Sequence, residues 1–252
     1  MQLKDKVIII TGSARGMGRE FALRTVREGA KVTVCDILDC GPVAGEIKAL
    51  GGEVLALKTD VTSEQDTVAM ARKTADRFGR IDVLVNNAGL YGGIENKNFA
   101  KPFEELTGLE WDKMMAVNLK GVFLCCKAVL PYMKKQGQGK IINIGSTTAF
   151  TGAPSLLHYA TSKGGVWTMT KGLARGLGKF NINVNAIAPG MTLTEATTTM
   201  LSDDAVRQIM ATQCLPKFIK PEHVAGAVVF LASDDADMIT GHTLAVNAGE
   251  YV

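Results

Sequence analysis

No stretch of the 252 residues approaches the roughly 18 consecutive apolar positions that a membrane-crossing helix needs. The longest runs, residues 7–10 and 225–232, have the length of a buried strand and a buried helical turn, so no bilayer span is expected. The opening Met1-Gln2-Leu3-Lys4-Asp5 lacks the basic region, apolar stretch and cleavage site of a secretory leader. Cytoplasmic residence is the expectation. Cys35, Cys40, Cys125, Cys126 and Cys214 form an odd set without C-x-x-C spacing, which argues against a disulfide framework and for reduced, mostly buried thiols. The three histidines, His158, His223 and His242, are too scattered for a metal site. Charge of one sign is also missing: 28 Lys and Arg face 25 Asp and Glu, and a net +3 predicts no nucleic-acid partner. A small-molecule partner is expected instead.

Apolar residues make up 46% of the chain and charged residues 21%, enough buried surface for one domain spanning 1–252. Short Val- and Ile-rich runs at 6–11, 31–36, 53–58, 81–86, 140–145, 183–188 and 243–246 read as strands buried on both faces. Helical segments at 16–28, 43–50, 63–78, 111–135, 159–178 and 221–231 separate them. This alternation predicts an α/β fold, a doubly wound, seven-stranded parallel sheet of Rossmann type. Two irregular passages interrupt it. One, over 90–108, holds Gly92, Gly93, Asn96, Asn98 and Pro102; the other, over 190–216, is assigned to a substrate lid.

The first strand runs into Gly12-Ser13-Ala14-Arg15-Gly16-Met17-Gly18, spaced G-x-x-x-G-x-G, directly before a helix. Gly12 permits a tight turn, Gly16 lets backbone N–H groups approach a pyrophosphate, and Gly18 lets helix and strand pack closely. The second strand ends at Asp36, eighteen residues after Gly18, where a carboxylate can hold ribose hydroxyls and repel a 2′-phosphate. NAD is therefore expected over NADP, although Arg15 in the loop could pair with that phosphate. Asp60-Val61 after the third strand, and Asn86-Asn87-Ala88-Gly89 after the fourth, sit at the same sheet edge, with Asp60 a candidate acceptor for the adenine amino group.

Ser146 follows the fifth strand, and Tyr159 and Lys163 share a helix face four residues apart. An ammonium beside a phenol stabilises phenolate and lowers a pKa that is ordinarily about 10. Together with Asn118 and Pro189-Gly190, these residues occur in the order and approximate spacing of the short-chain dehydrogenase/reductase family, which the whole chain resembles.

The resemblance implies a hydride-transferring enzyme in which Tyr159 is the general acid/base and Ser146 holds the substrate oxygen. It makes Lys163 the residue that binds nicotinamide ribose and tunes Tyr159, and Asn118 the support for a proton-relay water. Pro189, Gly190 and either Thr192 or Thr194 resemble the family's contacts to nicotinamide and pyrophosphate, and a homotetramer, or a homodimer, is implied. Tyr91, Thr148, Phe150, His158 and Met191 are the candidate substrate contacts, and few charges lie near them, which fits a largely uncharged substrate. Thr147-Thr148 and His158 resemble NAD-dependent secondary-alcohol dehydrogenases acting on aryl or cyclic ketones, whereas Ile239-Thr-Gly-His-Thr-Leu-Ala-Val-Asn-Ala-Gly249 also resembles 3-oxoacyl-thioester reductases. Carrier-protein enzymes of that kind need basic docking residues near the pocket mouth. Gly137 and Phe180 stand where those are expected, with Lys134, Lys135 and Lys179 as substitutes. The segment 92–101 is longer than the family's pattern. A third reading is a dinucleotide-binding subunit without turnover.

Overall fold

Along β1 (Val7–Thr11) successive side chains enter opposite cores. Ile8 and Ile10 join one buried cluster and Ile9 the other, which is why an unbroken apolar run, and not an alternating one, builds this strand. The computed structural model describes residues 1–91, 100–198 and 202–251. In chain order follow α1 (Gly16–Arg27), β2 (Lys31–Asp36), α2 (Gly41–Ala49), β3 (Val54–Lys58), α3 (Glu64–Phe78) and β4 (Val83–Asn86). Next come α4 (Gly108–Met115), α5 (Gly121–Gln136), β5 (Gly139–Ile144), α6 (Thr148–Thr151), α7 (Leu157–Leu177) and β6 (Ile182–Pro189). The chain closes with α8 (Glu195–Thr198), α9 (Asp203–Ala211), α10 (Pro221–Ala232) and β7 (Thr243–Val246).

The strands form one parallel sheet in the order β3-β2-β1-β4-β5-β6-β7. The order reverses between β1 and β4, and the crevice beyond their C-terminal ends is where open α/β sheets bind ligands. Helices α1, α2 and α10 cover one face through residues such as Phe21, Ile47 and Val228. Helices α3, α5 and α7 cover the other through Met70, Val129 and Val166. The edge strand β3 is only partly buried, which departs from the reading of every strand as buried on both faces. The helical stretch Gly108–Gln136 is long and apolar enough to cross a membrane by composition alone, yet Val122, Cys126 and Val129 spend that apolarity on the sheet.

Three expectations need correction. The helix expected over 111–135 starts at Gly108, because Thr107 and Glu110 form a reciprocal capping box. It also contains a π-helical turn, Ala116–Lys120, that carries Asn118. The passage over 190–216 is not irregular, since α8 and α9 lie within it. Gly92, Gly93, Asn96 and Asn98, named from sequence, lie outside the described residues.

Candidate active site

The glycine loop is built by close backbone approach. A Cβ on Gly18 would sit 2.2 Å from the carbonyl oxygen of Gly12, so only glycine lets the first turn of α1 meet the end of β1. Gly16 adopts φ +58°, and the nearest atom to a Cβ there would be Thr194 Cγ2 at 4.0 Å. The segment after β6 thus approaches the loop to ordinary contact distance. No side chain caps α1 and no acidic residue occupies its first turn, so its N-terminal N–H groups are left for an anion. Asn87 ties this loop to β4, its Nδ2 donating to the carbonyls of Thr11 and Gly12 at 2.9 Å each.

Asp36 stands on the loop's rim, its carboxylate accepting from the N–H of Ala14 and of Leu38 at 3.1 Å each. Arg15 is exposed. Ser13 turns away, its hydroxyl accepting from the N–H of Cys35 at 2.9 Å. Asp60 accepts from both the N–H and the hydroxyl of Thr62, which makes it the anchor of its own turn. Val61 is buried and packs where Gly121 leaves room, a Cβ on Gly121 falling 2.8 Å from Val61 Cγ2.

Beyond the loop opens a cavity of about 210 Å³ at the C-terminal ends of β4, β5 and β6. Met17, Asn87, Gly89, Ser146, Tyr159, Lys163, Pro189, Gly190, Thr192 and Thr194 are among the residues that line it. Tyr159, in the first turn of α7, is buried and hydrogen-bonded to Ser146. Lys163 Nζ donates to the carbonyl of Ile144 at 2.8 Å and lies 5.7 Å from the centre of the Tyr159 ring. The amide of Asn118 clasps Leu90, accepting from its N–H at 2.7 Å and donating to its carbonyl at 3.0 Å. It also donates to Ser162 Oγ at 3.2 Å, and that hydroxyl donates to the Tyr159 carbonyl. Gly89 fits between Asn118 and Lys163, a Cβ there meeting Asn118 Oδ1 at 3.4 Å and Lys163 Nζ at 3.6 Å.

The electrostatics reverse the direction expected for Tyr159. Burial raises its phenol well above the ordinary value, and the Ser146 hydrogen bond only partly opposes this. Burial also pushes Lys163 down to about 8, since a desolvated ammonium is disfavoured. The reason is placement: the ammonium is directed to the Ile144 carbonyl.

Thr148 and Met191 line the cavity, as does Tyr91, whose ring meets that of Tyr159 edge-on at 5.2 Å. Phe150 and His158 do not. Phe150 stacks on Tyr251, and His158 is buried with Nδ1 unpartnered, its pKa lowered by burial. Thr192 and Thr194 both line the cavity, but Thr194 exchanges hydrogen bonds with Thr197 while the Thr192 hydroxyl turns back to the Gly190 carbonyl. Thr197 and Ile209, within the segment assigned to a substrate lid, also line the cavity, whereas sequence reasoning missed Glu250. Nothing local marks Glu250, because the tail reaches the site only through the fold. Gly137 and Phe180 flank the N-terminal ends of β5 and β6, where the Gly139 N–H donates to the Asn181 carbonyl. That is the far edge of the sheet, so they are not at this cavity's mouth.

A family model described as enoyl-(acyl carrier protein) reductase matches residues 12–250. The chain is a member of the short-chain dehydrogenase/reductase family. It is 39% identical over 251 residues, 98% of its length and all of the relative's, to 3-oxoacyl-(acyl-carrier-protein) reductase FabG of Staphylococcus epidermidis. It is 37% identical over 252 residues to the (2S)-((R)-hydroxy(phenyl)methyl)succinyl-CoA dehydrogenase subunit BbsD of Thauera aromatica, covering 99% of this chain and 98% of that one. Its fold superposes with a TM-score of 0.92 on a Sinorhizobium meliloti protein provisionally described as a short-chain alcohol dehydrogenase, at 32% identity, covering 99% of this chain and 97% of that one. The family's chemistry is oxidoreduction with a nicotinamide dinucleotide, and the uncapped N-terminus of α1 beside the cavity lined by Met17, Asn87 and Gly89 fits such a group.

Proposed function

We propose that this member of the family is an NAD-dependent enzyme interconverting a secondary alcohol and its ketone, with an aryl or cyclic substrate free of anionic groups. The observation that carries the reading is the convergence of Ser146, Tyr159 and Lys163 on one cavity, with Tyr159 hydrogen-bonded to Ser146 and Lys163 Nζ 5.7 Å from the Tyr159 ring centre. The lining is mostly apolar, and Lys163 is its one cation among the described residues, which leaves nothing to pair a substrate carboxylate or phosphate. Asp36 on the loop rim supports NAD over NADP.

When bound, the nicotinamide supplies or accepts the hydride. Ser146, beside Tyr159, holds the substrate oxygen by donating a hydrogen bond. Tyr159 passes a proton to that oxygen in reduction and takes it back in oxidation. Because burial keeps the phenol protonated, reduction starts from the resting state of the site, whereas oxidation must first generate phenolate. Lys163, held by the Ile144 carbonyl, would bind a ribose hydroxyl of the cofactor, and Asn118 fixes the loop after β4 against α7.

A second reading, reduction of a 3-oxoacyl thioester, is favoured by the 39% identity to a reductase of that name. Lys134 and Lys179 converge on the Phe180 ring at 4.3 and 5.2 Å, but at the sheet edge opposite the cavity, which weighs against docking of a carrier protein at this chain's own site. Purified protein given NAD or NADP with aryl, cyclic and acyl-thioester alcohols or ketones, followed by reduced-nicotinamide absorbance, decides between them. Turnover of thioesters alone would overturn the first reading; dinucleotide binding with no turnover of any substrate would leave a binding subunit. Four buried free thiols support a reducing, cytoplasmic setting. Exposed Leu109 on α4 and Phe123 on α5 support a homotetramer.

A further inference from the structure

The C-terminal tail carries a carboxylate into the cavity. Glu250 lines it together with Tyr91, Thr147 and Gly190. Its Oε2 accepts from the Thr147 hydroxyl at 3.2 Å, and Thr147 is the residue next to Ser146. A Cβ on Gly190 would fall 2.8 Å from the same oxygen, so the carboxylate lies against bare backbone beside the reacting site.

The placement is built, since the tail is held on several sides. The Leu215 N–H donates to the Ala248 carbonyl at 2.9 Å, Asn247 Oδ1 accepts from the Gly249 N–H at 3.0 Å, and the Tyr251 ring stacks on Phe150 at 5.2 Å. Glu250 also contributes to raising the Tyr91 phenol, whose ring abuts Tyr159, which puts its field at the catalytic tyrosine's side of the cavity. No ion pair neutralises Glu250 among the described residues, and Lys163 directs its ammonium to Ile144. A carboxylate has about four acceptor sites, and the Thr147 hydroxyl uses one.

We propose that Glu250 is a specificity-determining residue that selects secondary alcohols or ketones bearing an ammonium group near the carbinol carbon and rejects those bearing a carboxylate. This rests on the secondary-alcohol reading above and names its substrate class. In a low-dielectric cavity the charge pair strengthens and the like-charge pair is penalised. Thr147 orients the carboxylate, and the apolar wall takes the rest of the substrate.

The test uses three matched alcohols, phenylpropanol, phenylethanolamine and the corresponding β-hydroxy acid, with the full-length protein and its E250Q variant. Gln keeps the shape and the acceptor for Thr147 while removing charge. Each alcohol is followed by NAD reduction, and its binding is measured by calorimetric titration. The wild type should favour phenylethanolamine over phenylpropanol by about tenfold or more in kcat/KM and in affinity, with the ratio falling below about threefold in E250Q. The hydroxy acid should gain about tenfold in E250Q. An ammonium-to-neutral ratio near one in the wild type, or one that survives in E250Q, overturns the proposal. If titration gives the selectivity and E250Q abolishes it while no alcohol turns over, the Glu250 assignment stands and the secondary-alcohol reading fails.

Discussion

Lys163 on α7 donates a 2.8 Å hydrogen bond from Nζ to the carbonyl of Ile144, the last residue of β5. This bond ties the helix bearing Tyr159 to the strand that leads to Ser146. It buries an ammonium, pushing it down to about 8, and leaves burial in control of the Tyr159 phenol.

Tyr159→Phe removes the phenol hydroxyl, the proposed proton donor, and little else. Turnover should fall at least about a hundredfold while dinucleotide affinity, measured by fluorescence titration, stays within about threefold of the parent. Retention of more than a few per cent of the rate would remove Tyr159 from the acid/base role. In the parent enzyme, alcohol oxidation should rise further into alkaline pH than ketone reduction, because only oxidation needs phenolate.

The buried Lys163 should also be visible in stability. Its folded pKa of about 8 lies below the ordinary 10.5, so between these values the unfolded chain binds one more proton than the folded one. The cost of the buried charge is full below about pH 8 and relieved as pH rises, by up to about 1.4 kcal/mol per pH unit. Urea unfolding of the parent and of Lys163→Met, compared at about pH 7.5 and about 9.5, should show the parent gaining about 2 kcal/mol on the variant. An equal pH response in both proteins would contradict the depressed value.

In the proposed reading, cofactor choice turns on Asp36. The parent should prefer NAD to NADP by roughly ten- to hundredfold in kcat/KM. Asp36→Asn keeps an acceptor for the Ala14 N–H yet removes the charge, and it should narrow the gap by improving NADP; Arg15→Ala should widen it. A parent that uses NADP better would make Arg15, and not Asp36, the residue in control.

Two glycines should answer alanine oppositely. At Gly18 the Cβ would fall 2.2 Å from a backbone oxygen, so Gly18→Ala should cost about 2 kcal/mol or more and damage dinucleotide binding. At Gly226, inside α10, nothing lies within 4 Å, and Gly226→Ala should raise stability by about 0.5–1 kcal/mol. Thermal melts with and without dinucleotide check both.

Leu109 and Phe123 are 80% and 50% exposed on α4 and α5, more apolar surface than this helix pair can cover within one chain. Sedimentation at micromolar concentration should find a tetramer, and Phe123→Glu should weaken it. A species of about 27 kDa alone, the mass of one chain, would refute assembly.

The sequence by itself determined the strand runs, the glycine loop and the Ser146, Tyr159, Lys163 set. Each is a local pattern, an apolar run, a turn that only glycine permits, or a four-residue helical spacing, and β2 and β7 run where those patterns place them. The start of α4 was also legible, in the Thr107-x-x-Glu110 capping box, though the apolar pattern drew the expected start to Trp111. The π-helical turn at Asn118 was not, because its extra residue is held by a hydrogen bond to Leu90, 28 positions away. Only the tertiary structure decided that Asp60 hydrogen-bonds its own turn and Ser13 the N–H of Cys35, and that Glu250 enters the cavity on a tail clasped by Leu215 and Phe150. It also decided that burial outweighs the Ser146 hydrogen bond in setting the Tyr159 phenol, since desolvation depends on everything packed around a group and not on its neighbours in sequence.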